Sequence, residues 1–316
     1  MLQRFPGAKK FCGAFSKATA YLLKDEHMSD TRLRDALTAK QFITAPGIFD
    51  MITAKVADGM GFTALYATGF GTVASHLGIA DAGIATYTDM VSRVGRFAQG
   101  CKTPVIADAD TGYGGLLNVR HTVQGYEAAG VAAIQIEDQE LPKKCGHTLG
   151  RRVIPMRDMC LKIEVAVQAR KSADFLVIAR TDARTTLGLD EALARGRAYH
   201  KAGADVVFIE SPESVDEMAR IGQEIDAPLL ANMADGGRTP ILPAAKLAAM
   251  GYDIAIFPAI GFLAVAAAAE RVYAHLLAHG TSGGLDPKDS YGFGRICELM
   301  GFPEVWAFEQ EWARPK

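Results

Sequence analysis

Pro104-Val105-Ile106-Ala107-Asp108-Ala109-Asp110-Thr111-Gly112-Tyr113-Gly114 is the stretch on which the fold turns. A short continuous apolar run, ended by turn residues, reads as a strand buried on both faces. This one runs straight into two carboxylates and a glycine-rich turn. Acids at the tip of a buried strand must meet solvent, a partner or a ligand, because an unpaired buried charge is costly.

The same pattern recurs on both sides. Apolar runs stand at Phe42 to Ala45, Ala64 to Tyr66, Pro104 to Ala107, Ala132 to Ile136, Phe175 to Ala179, Val206 to Ile209, Pro228 to Ala231 and Ile254 to Phe257. Between them lie segments of helical spacing such as Val119 to Gly130, Asp190 to Gly203 and Pro243 to Gly251, each ending in a capping glycine. Strand and helix alternating eight times predict an α/β fold, a (β/α)8 TIM-type barrel over 30–280. The chemistry of such a barrel sits at the C-terminal ends of its strands. Here those ends carry Tyr66, Asp108 with Asp110, Glu137 with Asp138, Arg180 with Asp182, Glu210, Asn232 and Phe257-Pro258.

At 316 residues and 49% hydrophobic content, the chain can build one large core with extensions. A formal charge of -2 gives no electrostatic case for nucleic acid or an anionic membrane, which leaves a small molecule as the expected partner. Five cysteines, Cys12, Cys101, Cys145, Cys160 and Cys297, show no close pairing and are expected to be free thiols in a reducing, cytoplasmic setting. Residues 1–29 form an N-terminal extension, basic through Arg4, Lys9, Lys10, Lys17 and Lys24, which could also serve as an organelle leader. No long uncharged apolar run predicts a membrane span, and Ile254 to Ala269 reads as strand, loop and buried helix. A final barrel helix is expected over Ala264 to His279. Residues 281–316 form a C-terminal helical segment whose stretch Tyr291 to Trp312 is amphipathic enough to pack on another subunit.

Two loops carry the candidate chemistry. Asp108 and Asp110, two positions apart, project the same way from an extended strand end, and with Glu137 and Asp81 they offer hard oxygen ligands for Mg²⁺, or Mn²⁺ in its place. No histidine or cysteine spacing suggests Zn²⁺. Lys143-Lys144-Cys145-Gly146-His147 sets a thiol among cations that favour the thiolate, while an approaching carboxylate opposes it, so Cys145 can act as acid or nucleophile. Gly146 lets this loop bend over a ligand. Tyr66-Ala67-Thr68-Gly69-Phe70-Gly71 can present backbone N–H groups to a carboxylate, and Arg180 offers it a bidentate clamp.

Assembled in order, these motifs, with Ile136-Glu137-Asp138-Gln139, Ala179-Arg180-Thr181-Asp182-Ala183, Glu210-Ser211-Pro212 and Ala231-Asn232-Met233, resemble the isocitrate lyase/phosphoenolpyruvate mutase superfamily from about Asp30 onward. Lys-Lys-Cys-Gly-His places the likeness in the lyase branch, because the phosphonate mutases and hydrolases lack this cysteine. The resemblance implies a homotetramer whose C-terminal helix is exchanged between subunits. It also implies Mg²⁺ held directly by Asp110 and through water by Asp81, Asp108 and Glu137. Thr68, Gly69, Phe70, Lys144, Gly146, Arg180 and Asn232 are the implied substrate contacts. Cys145 would protonate the leaving carbon, Lys143 and His147 would offset charge, and Tyr66, Glu137, Glu210 or hydroxide at the metal would serve as base.

The implied reaction cleaves a 2-hydroxy dicarboxylate between C2 and C3 into a 2-oxo acid and a carboxylate. True isocitrate lyases carry a serine-rich loop where this chain has Asn232 to Arg238. Methylisocitrate lyases tend to have Arg before the cysteine and Thr-Glu after the asparagine, where this chain has Lys144 and Met233-Ala234. Cys145 to Thr148, followed by Gly150-Arg151-Arg152, is more like lyases of 2-alkylmalates such as 2,3-dimethylmalate. Methylisocitrate cleavage, oxaloacetate hydrolysis and carboxyphosphonoenolpyruvate mutation are the alternatives, with a non-catalytic dicarboxylate-binding barrel last.

Overall fold

A computed structural model of the chain describes residues 30–148 and 150–313. The basic leader and Cys12 lie outside the described residues. Eight parallel strands close into a barrel in sequence order: β1 (Ile43–Ile48), β2 (Leu65–Ala67), β3 (Val105–Asp108), β4 (Ala133–Glu137), β5 (Leu176–Thr181), β6 (Val206–Ile209), β7 (Leu229–Asn232) and β8 (Ile254–Phe257). Each expected apolar run becomes a strand, shifted by at most a few residues toward its polar end.

Around the barrel lie α1 (Arg32–Thr38), α2 (Met51–Asp58), α3 (Gly69–Leu77), α4 (Tyr87–Gly100), α5 (Leu116–Ala128), α6 (Met156–Ala169), α7 (Arg184–Leu187), α8 (Leu189–Lys201), α9 (Val215–Glu224), α10 (Ala244–Ala249) and α11 (Ile260–His279). Then come α12 (Phe293–Leu299) and α13 (Phe302–Glu311).

Successive side chains on a strand face opposite ways, and this alternation builds two layers and a site at once. Tyr66, Ile106, Ala133, Ile178, Phe208, Leu230 and Ile256 share the barrel interior, which α1 closes from the strands' N-terminal side with Leu33 and Leu37. Val105, Ala107, Ile134, Ile136, Val177 and Ala179 face the helices instead. Two residues beyond an inward apolar side chain the next inward residue is polar: Asp108 after Ile106, Arg180 after Ile178, Glu210 after Phe208, Asn232 after Leu230. The polar site is the top layer of the core.

Three expectations change. Asp110 does not extend β3: it takes a left-handed backbone conformation, φ 48°, where its N–H bonds to Asp108 Oδ1 at 3.0 Å. The turn is closed by Gly112 N–H to Ala109 O at 2.9 Å. Both acids still reach one site, by a turn rather than by strand parity. The segment Tyr291 to Trp312 is two helices, broken at Gly301, whose φ of 86° disfavours any residue with a side chain.

Helix α11, expected to be buried, has no buried residue in the single chain. It is apolar around most of its circumference, and β1 with the residue that follows it covers one side only, Phe262 lying edge-on to Phe49 at 6.4 Å. By length and composition it is also the one helix among the described residues that could cross a membrane, although Glu270 and Arg271 stand at its middle. Leu277 of α11 is 91% exposed, and the tail is similarly bare, with Phe293 85% and Trp312 68% exposed.

Candidate active site

The strand tips enclose a cavity of about 230 Å³, lined on one side by Tyr66, Asp81, Asp108, Glu137, Arg180, Glu210 and Asn232, and covered by Lys143 to His147. Thr68 and Phe70 line it from the start of α3. There the first N–H groups of a helix lack intrahelical acceptors and can meet an anion. Gly69 and Asp110 lie just behind this lining. A Cβ on Gly69 would stand 2.5 Å from Asp108 Oδ2, so glycine is required for α3 to approach β3.

Arg180 is the electrostatic centre. Its Nε and Nη2 donate to Asp182 at 3.0 and 2.8 Å, and its guanidinium lies 3.2 Å from Glu137 and 3.5 Å from Glu210. Burial opposes its charge, but Asp182, Glu137 and Glu210 outweigh that and hold it firmly protonated.

The acids divide into two groups. Burial pushes Glu137 well above the ordinary carboxylate range despite Arg180, raises Asp108, and drives Asp110 up to about 7. For Glu210, burial is opposed by Arg180, His147 and Asn232, which together hold it below its ordinary value. It accepts Asn232 Nδ2 at 3.1 Å and the Ser211 N–H at 2.9 Å. His147 Nε2 stands 3.4 Å from the same carboxylate. Its Nδ1 accepts the Arg238 N–H at 3.3 Å. His147 Nε2 also lies 3.2 Å from Asn232 Nδ2.

Lys143 and Lys144 do not activate the thiol as a cation-flanked loop suggested. Lys143, 2% exposed, places Nζ 2.5 Å from both Asp81 and Asp110. Lys144 points Nζ toward Gly150 O at 3.4 Å, with its backbone clasped by the Gln139 amide at 2.8 and 2.9 Å. Burial therefore dominates at Cys145 and raises its thiol above the usual range, while the His147 N–H pulls the other way. A protonated thiol is an acid in waiting rather than a nucleophile. Cys101, Cys145, Cys160 and Cys297 are all free.

Gly146 brings the loop onto this centre. A Cβ there would lie 2.2 Å from Arg180 Nη2 and 2.9 Å from Glu210, and the Gly146 carbonyl accepts Ser211 Oγ at 3.0 Å. Gly146→Ala is expected to lower kcat/KM by about 100-fold, the scale of an ångström's misplacement of reacting groups. The thermal midpoint should move little. Steady-state kinetics and a melting curve on the same preparation check this.

Among the described residues no three His, Cys, Asp or Glu side chains converge into a ready-made metal cage. The donor set nevertheless fits a hard cation held largely through water: the acids supply oxygen only, and Glu137 Oε1 is buried with no hydrogen-bond partner among the described residues.

Two groups of residues were not read from the sequence as part of the site. Gln135 accepts Tyr66 Oη at 2.8 Å and donates to Asp108 at 3.3 Å. A lone amide inside Ile134-Gln135-Ile136 was its available signal. An apolar wall of Ile256, Pro258, Ala259, Phe262 and Leu263 faces the charged groups, with Phe262 stacked on Phe70 at 5.2 Å. On a helix so apolar, no signal separates cavity residues from packing ones.

Residues 33–277 match the family model described as phosphoenolpyruvate phosphomutase. The chain is 46% identical to 2,3-dimethylmalate lyase of Eubacterium barkeri, over 89% of its length and 97% of that protein. It is 41% identical to 2-methylisocitrate lyase of Aeropyrum pernix, over 89% and 90%. A solved oxaloacetate acetylhydrolase in complex with 3,3-difluorooxalacetate superposes with TM-score 0.84 at 35% identity, covering 89% of this chain and 95% of that one. The chain belongs to the phosphoenolpyruvate mutase/isocitrate lyase superfamily and is an enzyme of its carbon–carbon lyase branch.

Proposed function

We propose that this enzyme cleaves a 2-alkylmalate such as 2,3-dimethylmalate to pyruvate and a monocarboxylate, with Mg²⁺ as cofactor. The observation that carries the reading is the half-buried Cys145 thiol on the same cavity as Arg180 and the carboxylate cluster, opposite an apolar wall. The wall suits the alkyl groups. A third carboxylate, as in methylisocitrate, would find Asp235 on the lining and Arg238 paired with Glu213 at 3.0 Å, with Lys144 as the lysine on the lining whose Nζ is 3.4 Å from Gly150 O.

In the reaction, Arg180 and the first N–H groups of α3 bind and orient the C1 carboxylate. Asp110, with Asp81, Asp108 and Glu137 through water, would hold Mg²⁺, which when bound lowers the energy of charge developing on the C2 oxygen. A carboxylate accepts the C2 hydroxyl proton. Glu210 is held below the ordinary carboxylate range chiefly by Arg180 against burial, whereas burial raises Tyr66 well above the usual phenol range and its hydroxyl donates a hydrogen bond to Gln135. The C2–C3 bond breaks, its electron pair passing to C3 as the C2–O bond becomes a carbonyl. Cys145 then delivers a proton to C3, completing the monocarboxylate.

Mass spectrometry of both products, across 2-alkylmalates, methylisocitrate and oxaloacetate, tests the assignment. Release of no 2-oxo acid from any 2-alkylmalate would sink it. Mg²⁺ is expected to raise the thermal midpoint of the wild type and EDTA to reverse this. Asp110→Asn should abolish the shift, as read by scanning calorimetry without substrate. The exposed faces of α11, α12 and α13 support a homotetramer with exchanged C-terminal segments, which light scattering and crosslinking through α13 would check.

A further inference from the structure

Arg151, at the far end of the Cys145 loop, is buried although it belongs to a surface connection; it is 2% exposed. Its Nη1 donates to Asp182 Oδ1 and its Nη2 to Thr185 Oγ1, both at 2.5 Å. The same Asp182 holds Arg180 through Nε at 3.0 Å and Nη2 at 2.8 Å. One fully buried carboxylate therefore grips two guanidiniums, one from the loop that carries the thiol and one that faces the substrate cavity.

Asp182 is itself immobilised. Its N–H donates to Asp138 Oδ1 at 2.9 Å, and Asp138 Oδ2 accepts Thr181, Tyr199 and Arg195 at 2.7, 2.6 and 3.0 Å. Arg195 Nη1 also reaches Ile154 O at 2.9 Å, just beyond Arg151. The connection is thus tied at two points, to Asp182 at the end of β5 through Arg151 and to Arg195 of α8 through Ile154.

We infer that Arg151 is a positioning residue that couples the seating of Cys145 to the hold of Arg180 on the substrate carboxylate, an inference resting on the proposed function. The reason is how charge is shared at Asp182. With Arg151 in place, the Asp182 carboxylate divides its attraction between two cations, and Arg180 keeps donor capacity toward Glu137, Glu210 and the cavity. Remove Arg151 and the whole carboxylate charge falls on Arg180, drawing it back from the ligand. The loop loses its buried anchor in the same step. Lysine keeps the charge but cannot reach Asp182 and Thr185 together, because it lacks the planar fork.

Full-length Arg151→Met, Arg151→Lys and Thr185→Val test this by three readouts. These are the thermal midpoint, oxalate affinity by calorimetry in Mg²⁺, and the iodoacetamide alkylation rate of Cys145 resolved by peptide mass spectrometry. Arg151→Met is expected to alkylate Cys145 about tenfold faster and bind oxalate about tenfold more weakly, the scale of one lost charge-assisted hydrogen bond. Arg151→Lys should recover part of the oxalate affinity, carried by charge, and little of the thiol protection, carried by geometry. Thr185→Val, which removes no charge, should speed alkylation with oxalate binding retained, and it carries the test if Arg151→Met does not fold.

A lower thermal midpoint with both other readouts unchanged would reduce Arg151 to a structural residue and overturn the inference. Faster alkylation in Arg151→Met with unchanged oxalate binding would overturn the coupling to Arg180. Wild-type protein that binds no oxalate and releases no 2-oxo acid would count against the proposed function instead.

Discussion

Replacing Cys145 by serine is expected to lower kcat by about two to four orders of magnitude, the range for removing a positioned general acid. Serine preserves the shape of the site and its hydroxyl can still hydrogen-bond, but it is a far weaker acid than a thiol. Carbon–carbon cleavage needs a proton on C3 or the fragments recombine. KM should change little, because the thiol meets charge that exists only after the bond breaks.

The pH dependence has a definite sign. Burial raises the Cys145 thiol, so the acid form persists past the ordinary thiol range near about 8.5. Wild-type kcat should therefore stay level through neutrality and fall only on the alkaline side, as the proton is lost. Single-turnover rates from pH 6 to 10, for wild type and Cys145→Ser, check both points. Turnover by the serine variant within a few-fold of wild type would remove Cys145 from the acid role.

Arg180→Met should cost about 3–5 kcal/mol of stability, because removing one partner from a buried ionic cluster leaves the others uncompensated. Asp182, Glu137 and Glu210 are each 2% exposed or less, and all three lean on this guanidinium. Glu210 is kept low chiefly by Arg180 against the effect of burial, so its ionised form would lose its main support. Activity should fall beyond what stability explains, since the carboxylate clamp disappears too. Arg180→Lys should restore part of the stability and little of the affinity, because an ammonium cannot donate in parallel. Urea unfolding with calorimetric titration of oxalate separates the two effects. A methionine variant as stable as wild type would show that the carboxylates protonate or rearrange at no cost.

Much of the site could be read because parity on a buried strand is a local property. Ile106 with Asp108, Ile178 with Arg180, and Phe208 with Glu210 each announce an inward polar tip, and eight such strands leave a barrel as the natural closure. Reading the loop chemistry locally was less dependable. Lys143 and Lys144 next to a cysteine in sequence suggested a thiolate, yet Lys143 lies against Asp81, 62 residues away, and the thiol is governed by burial. Proximity along a chain says little about direction in a loop, where no fixed period applies. The apolar wall from α11 escaped for the opposite reason: its residues resemble every other residue of that helix.

The amino-acid sequence by itself determined the α/β barrel, the order of its strands, the rim that carries the acids and Arg180, and the superfamily. All of these rest on short-range patterns of apolar and polar residues. Only the tertiary structure decided that Asp110 arrives through a left-handed turn, that Lys143 is tied to carboxylates, that burial rather than its flanking lysines governs Cys145, and that Asp182 joins Arg151 to Arg180. Those outcomes depend on which distant groups burial forces together, since in a low-dielectric interior each charge must find its partner wherever the fold brings one within reach.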